Sequence, residues 1–398
     1  MKTEISNNIF WVGVTDWDLR QFHGHELSTH QGSTYNAYLI IDEKVTLIDT
    51  VWTPFADQLL SNISEIIDPG KIDYVIAAHA EVDHSGSLPA VMRHCPEAEI
   101  IVSPRGLESI PRYYRQPWHF RSVKTGEQLN LGEKTLTFIE APMLHWPDNL
   151  LTYSAPDNVL FSSDAFGQHF ASSGRFNDEV DTAALFAEAE KYYANILTPF
   201  SPMVSRKIEE FLALNLSLNM IAPSHGLIWR QNPSQIVAQY QQWAAQQPNN
   251  DAVIIYDTMW QATRLMAEAV GEGLVTAGIS YKLFNAAASD RNDVITDVFR
   301  SKGVVLGSPT FNQGILPTLS PILTDLKGLK FKNKIGAAFG SYGWSGESLS
   351  ILEQHLNDSG IPVVVPGVKA KWQPDPSDLE ACRRLGISLA AAMQNNPA

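Results

Sequence analysis

Six consecutive residues, His79-Ala80-Glu81-Val82-Asp83-His84, place four potential metal ligands directly after the apolar run Tyr74-Val75-Ile76-Ala77-Ala78. That run is short, partly β-branched, and followed by polar residues and Gly86, which predicts a buried strand ending in a loop of the form H-x-E-x-D-H. Ligands at a strand end are held by a rigid scaffold yet stay open to solvent. Solvated histidines in a polar loop are the competing reading for any one of these residues, but not for four together. Imidazole-rich sites suit zinc, whereas added carboxylate oxygens shift a mixed nitrogen and oxygen site towards iron or manganese. Later candidates are His145 in Pro142-Met143-Leu144-His145-Trp146-Pro147, Asp164 after Leu160-Phe161-Ser162-Ser163, and His225 in Ala222-Pro223-Ser224-His225-Gly226. Each follows a short apolar segment, so each is expected at a strand end.

The elements that must position these residues are legible in outline. The 398 residues are 44% hydrophobic and 18% charged, the composition of a globular protein of two to three domains. A formal charge of −14 argues against a nucleic-acid or anionic-membrane partner. No apolar signal core or long apolar run is present, so a cytoplasmic protein is expected. Cys95 and Cys382 are the only cysteines, which leaves neither a disulfide framework nor a cysteine-ligated metal centre. Alternating segments at Ile9 to Val14, Tyr35 to Ile41 and Val45 to Thr50 predict antiparallel strands, and helices are expected over 56–67, 86–94, 181–195, 204–216 and 236–245. The polar stretch Gln246-Gln247-Pro248-Asn249-Asn250 reads as a linker, dividing the chain into domains 1–249 and 250–398.

Beyond it the pattern becomes strand, loop and helix repeated, with apolar strands at Ala252 to Tyr256, Val304 to Leu306, Ile335 to Phe339 and Val363 to Val365. This predicts a doubly wound parallel sheet. The loop containing Thr258, Met259, Trp260, Gln261, Ala262 and Thr263 could hold a phosphate with hydroxyls and backbone N–H groups at a helix start. Two more loops, with Ser308, Pro309, Thr310 and Asn312, and with Ser341, Tyr342, Gly343 and Trp344, add backbone donors and aromatics suited to a flat heterocycle. An ordinary helix cap is the alternative for the first loop taken alone.

The first half resembles the metallo-β-lactamase superfamily, whose loop usually reads H-x-H-x-D-H, with Glu81 where a second histidine would stand. The phosphate loop is similar to that of flavodoxins. Together the halves resemble the flavodiiron proteins, with Phe339-Gly340-Ser341-Tyr342-Gly343-Trp344-Ser345-Gly346 and Met143-Leu144-His145-Trp146-Pro147-Asp148 in nearly that family's wording. The resemblance implies an α/β chain: an N-terminal metallo-β-lactamase-like αββα sandwich followed by a flavodoxin-like doubly wound sheet. It also implies two iron ions in a di-iron centre, FMN, and reduction of nitric oxide to nitrous oxide, of dioxygen to water, or both.

Carried over residue by residue, the resemblance gives one iron His79, Glu81, His145 and Asp164, and the other Asp83, His84, His225 and Asp164, with Asp164 bridging. The four positive charges of two ferrous ions against three carboxylates would leave one positive charge for a bridging hydroxide, keeping a buried site near neutrality. Adjacent side chains tend to point apart, which makes His84 the ligand most open to question. His94, His119, His169 and His355 lack ligand spacing and read as ordinary histidines. His23, His25 and Tyr193 are candidates for groups around the ligands. The family implies a head-to-tail homodimer or a dimer of dimers. Without a cysteine-rich rubredoxin module of the flavorubredoxin kind, electrons are expected from a separate rubredoxin-type donor, with Lys369, Lys371 and Arg264 as candidate docking charges. The competing functions are a dinuclear zinc hydrolase and a flavin and iron redox sensor.

Overall fold

The computed structural model describes residues 2–22, Gly24 and 26–395, so His23 and His25 lie outside the described residues. The chain forms two compact units, Met1–Tyr192 with Pro202–Gln241, and Tyr193–Ser201 with Gln242–Ala398.

Two facing sheets build the first unit. The seven-stranded sheet runs in the order Thr3–Ser6, Ile9–Trp11, Tyr38–Ile40, Val45–Ile48, Ile72–Ile76, Glu99–Val102, His119–Ser122, and the five-stranded sheet in the order Gln128–Asn130, Thr135–Glu140, Leu150–Ser154, Val159–Ser163, Met220–Pro223. One apolar cluster joins Ile40, Ile48, Ile76 and Ile101 of the first to Phe138, Leu150, Phe161 and Ala222 of the second. Side chains alternate along each strand, so the residues between these core positions face helices or solvent. The strand Ile72–Ile76 starts where the Asp68 carboxylate accepts the Gly70 N–H in the turn Pro69–Lys71. It ends at Ala77 and Ala78, which puts His79 at the sheet edge.

In the second unit five parallel strands lie in the order Tyr281–Asn285, Asn249–Tyr256, Ser301–Gly307, Ile335–Tyr342, Val368–Lys371. This is the flavodoxin-like order, second strand first. Val253, Ile254, Val304, Val305, Ala337 and Ala338 are fully buried, as expected when helices cover both faces. Helices Ala262–Thr276 and Pro376–Asn395 cover one face through Met266, Val270, Leu274, Leu385 and Leu389.

Three expectations need correction. Val363 makes only an isolated bridge to Gly336, and the edge strand is Val368–Lys371, where lysines at every second position interrupt the continuous apolar run expected of a buried parallel strand. Asn249 and Asn250 belong to a strand rather than to a linker, because parallel pairing with Ser301 extends the ladder past the apolar residues. The helix expected over 181–195 is α-helical only over Thr182–Tyr192 and widens into a π turn at Tyr193–Leu197.

Lys334, 3% exposed, donates from Nζ to the Phe299 carbonyl at 2.7 Å. Burial pushes its pKa down to about 7, against the smaller opposing pull of Asp251. The unfolded chain, with an ordinary lysine, binds the proton that the folded chain gives up between about pH 7 and 10.5. Stability should therefore rise with pH through that window by up to ~1.4 kcal/mol per pH unit. Chemical denaturation of wild type and Lys334→Met at pH 7 and 9 checks this: the variant should lose the upward slope.

Candidate functional site

The ligand candidates of the first unit meet at the ends of its strands. His79 Nε2 lies 3.3 Å from a Glu81 carboxylate oxygen and 3.2 Å from Asp164 Oδ2, and His145 Nε2 lies 3.3 and 3.4 Å from the same two oxygens. On the other side His84 Nε2 stands 3.0 Å from both Asp83 Oδ2 and Asp164 Oδ1, and His225 Nε2 stands 3.0 Å from Asp83 and 3.7 Å from Asp164 Oδ1. The two oxygens of Asp164 thus face two separate clusters, and His84 points into the second. All seven candidates are brought together, four histidines and three carboxylates without a thiolate.

Local structure explains the presentation. After the strand Ile72–Ile76 the chain runs through Ala77–Glu81 into the single helical turn Val82–Ser85, which turns Asp83 and His84 to the same side. Asp164 follows Ser163, held at φ 52°, so the strand Val159–Ser163 breaks where the ligand must leave it. Gly226 after His225 has φ 75°, and a Cβ there would overlap the Gln168 carboxamide, so only glycine lets that loop close.

The polar groups are left in a state that fits a metal. Both oxygens of Asp83 and Asp164 and both nitrogens of His84 are buried without hydrogen-bond geometry, although oppositely charged groups stand about 3 Å away. His225 Nδ1 lies 2.7 Å from the Thr34 carbonyl, which can only accept. The neutral ring therefore turns a bare Nε2 towards Asp83, which a cation between them satisfies. Burial disfavours the imidazolium of His79 and of His145, but Asp164 and Glu81 outweigh it and raise their pKa values to about 10 and about 9. Burial likewise opposes the negative charge of Asp164, yet His84 and His79 hold its carboxyl well below the ordinary range. Metal uptake must then displace protons. The donor set suits iron.

Around the ligands, a cavity of about 390 Å³ opens between Phe22, Tyr35, Trp52, Tyr113 and Trp146, with Glu81 and Asp83 in its wall. The ring of His169 lies 4.7 Å from that of His225 and 5.4 Å from that of Tyr192, and its Nδ1 meets the Ser33 hydroxyl at 2.7 Å. Tyr192 is the tyrosine on this side: burial, with Asp164, Tyr240, Glu81 and Asp83, raises its pKa far above the ordinary value. Tyr193 instead bonds Ser201 and stacks near Trp243 within the second unit. The single-residue difference follows from the π turn that begins at Tyr193.

In the second unit the three loops close on a cavity of about 540 Å³ lined by Thr258, Met259, Trp260, Ala262, Pro309, Thr310, Asn312, Ser341, Tyr342, Gly343 and Trp344. Gln261, Thr263 and Ser308 do not line it. Gln261 caps the helix at φ 67°, while Thr263 and Ser308 are fully buried, Thr263 sharing a hydrogen bond with Ser341 at 2.9 Å. Phe311, Trp372 and Gln373 line it as well; the latter two follow the edge strand whose position the sequence pattern hid. Thr258 Oγ1 is buried beside the start of helix Ala262–Thr276 without a partner, as a phosphate-binding hydroxyl would be. Among the described residues no cationic side chain lines the cavity. Trp260 and Trp344, 80% and 85% exposed, flank it where a flat ring could stack. A flavin mononucleotide fits these features.

Comparison with known proteins identifies the families of both halves of the chain. Residues 34–226 match the ODP family beta lactamase model, and residues 254–386 match the flavodoxin model. The chain is 48% identical to a nitric oxide reductase of Moorella thermoacetica, over 97% of this chain and 98% of the relative. It is 47% identical to an anaerobic nitric oxide reductase flavorubredoxin of Salmonella arizonae, over 98% of this chain and 82% of the relative. Among solved structures, the rubredoxin oxygen:oxidoreductase of Desulfovibrio gigas superposes with a TM-score of 0.97 at 38% identity, covering 99% of each chain. The flavodiiron protein of Giardia intestinalis superposes with a TM-score of 0.95 at 32% identity, covering 99% of this chain and 97% of that one.

Asp164→Ala removes the one side chain shared by both clusters. The purified variant should lose both metal ions in elemental analysis while keeping its flavin absorbance; retention of one full equivalent of iron would contradict the shared role.

Proposed function

Since this chain belongs to the flavodiiron protein family, we propose that nitric oxide is its main physiological substrate, reduced to nitrous oxide, with dioxygen reduced to water as a second activity. The chain is an iron- and FMN-dependent oxidoreductase. The observation that carries the assignment of its site is the Asp164 carboxylate, one oxygen turned to each of two His and carboxylate clusters. We assign His79, Glu81, His145 and Asp164 to one iron and Asp83, His84, His225 and Asp164 to the other. Residues 1–249 serve as the di-iron domain and 250–398 as the FMN-binding domain.

Two irons would supply adjacent open positions for diatomic gas, and FMN the reducing equivalents. The residues do the rest. Seven ligands fix the spacing, and Thr34 and Ser163 hold the Nδ1 atoms of His225 and His79 so that each Nε2 faces inward. Phe22, Trp52, Tyr113 and Trp146 give the cavity an apolar mouth, which admits an uncharged diatomic more readily than an ion. Tyr192 keeps its phenol proton at neutral pH because burial and the nearby carboxylates oppose its loss. For nitric oxide the balance is two molecules, two electrons and two protons to one nitrous oxide and one water.

The preference for nitric oxide rests on relatives of that name at 47–48% identity, against 38% for the oxygen reductase. Anaerobic nitric oxide assays run beside oxygen-electrode assays with one reductant decide it: brisk oxygen consumption without nitrous oxide would reverse the preference. Metal and flavin analysis should find two irons and one FMN per chain, and zinc without a yellow chromophore would end the reading altogether.

We further infer a cytoplasmic head-to-tail homodimer, or a dimer of dimers, that takes electrons from a separate rubredoxin-type protein. Among the described residues no helix is long and apolar enough to cross a membrane. Exposed Lys369 and Lys371 follow Phe339 to Tyr342 across the edge pairing of the flavin unit and suit an acidic carrier, whereas Arg264 is already engaged by Glu268 at 2.9 Å. Reduction rates by such a carrier should fall as salt rises from about 0.01 to 0.15 M, over which the screening length shortens from about 30 to 8 Å. A salt-independent rate in stopped-flow flavin reduction would exclude this surface.

A further inference from the structure

We propose that the dipeptide Asp148-Asn149 is the positioning element for the ligands assigned to one iron alone, His79, Glu81 and His145, and reaches the other iron only through the backbone before the shared Asp164. The inference rests on that ligand assignment and adds the residues that aim it. Neither residue can touch solvent: Asp148 is 2% exposed and Asn149 1%.

The Asn149 side chain works in two directions. Its Oδ1 accepts the Ser163 hydroxyl at 2.8 Å, and Ser163 Oγ stands 3.2 Å from His79 Nδ1. Because the serine proton is given to Asn149, its oxygen is free to accept from His79, which sets the Nδ1–H tautomer and leaves Nε2 as the donor atom for metal. Ser163 is also the residue before Asp164, at φ 52°, so the same bond holds the backbone that delivers the shared carboxylate. The Asn149 Nδ2 donates to the carbonyl of Leu144, the residue before His145. One amide thus braces three ligand segments.

Asp148 braces the fourth. Its Oδ2 accepts the Ala80 N–H at 3.0 Å, the peptide between His79 and Glu81. The carboxylate is itself fixed by the Ser109 hydroxyl at 2.5 Å, and its backbone carbonyl by the Ser103 hydroxyl at 2.7 Å, both from the region of helix Gly106–Tyr114. Next along the chain, Leu150 N–H donates to the Ala78 carbonyl at 2.9 Å and ties the strand Leu150–Ser154 to the start of the metal loop.

The other cluster is held by different residues. His225 Nδ1 meets the Thr34 carbonyl, Ser224 donates to Asp49 at 3.2 Å, and the His84 carbonyl accepts from the Thr50 backbone N–H and hydroxyl. No hydrogen bond from Asp148 or Asn149 reaches Asp83, His84 or His225 among the described residues. Asp49 also accepts the Ala78 N–H at 2.8 Å and the Ser224 N–H donates to the Ser163 carbonyl at 2.7 Å, so the clusters share a backbone frame; within it Asp148 and Asn149 brace the segments of His79, Glu81 and His145 and none of Asp83, His84 or His225.

The test is the release of iron from purified holoprotein to a strong chelator, followed by absorbance, with wild type, Asn149→Ala, Asn149→Asp, Ser163→Ala and a control. Asn62→Ala is the control: Asn62 is another buried amide of the same unit, bonded to the Val12 and Gly13 carbonyls. Loss of a group that orients a ligand costs about 10- to 100-fold in metal affinity. Asn149→Ala should give biphasic release, one iron leaving about 10- to 100-fold faster and the other, reached only through Asp164, quickening much less. Asn149→Asp, which keeps an acceptor for Ser163 but sets a carboxylate against the Leu144 carbonyl, should do the same, and Ser163→Ala should show a smaller acceleration of the same phase. Asn62→Ala should lower the melting temperature while leaving release uniform. Release from the Asn149 variants that stays at the wild-type rate, or that quickens equally for both irons, overturns the proposal. If the Asn149 variants fail to fold, Ser163→Ala decides alone by the same criterion. A wild-type protein without two irons overturns the ligand assignment and this proposal together, and is recognised before any variant is made.

Discussion

Asp164 is a carboxylate almost wholly withdrawn from water whose two oxygens serve two different groups of side chains. Burying one ion in a protein interior costs several kcal/mol unless opposite charge is placed around it. Here four imidazoles and two further carboxylates are each packed within about 3.7 Å of a neighbour, and shared cations, or the imidazole protons that they displace, supply the compensating charge. Each ligand must therefore be delivered to a fixed point. The sandwich does this by ending its strands at one rim and spending backbone strain there: Asp49, Ser163 and Phe166 have left-handed φ values of 56°, 52° and 67°.

The flavin unit solves a different electrostatic problem. A chain carrying a formal charge of −14 offers, among the described residues, no cationic side chain to line the cavity. On the proposed assignment, hydroxyls and peptide N–H groups at the start of helix Ala262–Thr276 would take that role, with the helix dipole adding to it. An uncompensated flavin phosphate is more easily tolerated at a solvent-facing mouth than in a core. The exposed indoles of Trp260, Trp344 and Trp372 are the complement, apolar faces that gain only when a flat ring covers them.

The ligand residues were legible because their chemistry is carried by residue type: His, Asp and Glu crowded after an apolar strand have few other uses. Parallel strands with both faces buried, such as Ala252 to Tyr256 and Val304 to Leu306, were legible for the same kind of reason, since a continuous apolar run has one common use in an α/β sheet. What was hidden depends on contacts remote in sequence. Asn149 becomes a support only when strand pairing sets it beside Ser163, fourteen residues on, and Asp49 only when Ser224 folds back onto it. Val368–Lys371 is a short edge strand with lysines on one face, so it lacks the continuous apolar run that announces the other parallel strands, while Val363 to Val365 has the right composition and no partner strand along its length. Tyr192 and Tyr193 are indistinguishable by type, and a π turn decides which one faces His169.

The supports of the two clusters differ in kind. For His79, His145 and Asp164 the hydrogen bonds converge on one carboxamide, so their positions are coupled: a shift of Asn149 moves the tautomer-setting serine and the carbonyl before His145 at once. For His84 and His225 the supports come from two segments: Thr34 and Asp49 act on the His225 segment, and Thr50, next to Asp49, acts on His84. Asp49 also accepts the Ala78 N–H at 2.8 Å, which ties this second set to the start of the His79 loop. With Asp164 common to both, any adjustment at the second position must be taken up by Asp83, His84 and His225 around a carboxylate whose backbone the first position has already fixed.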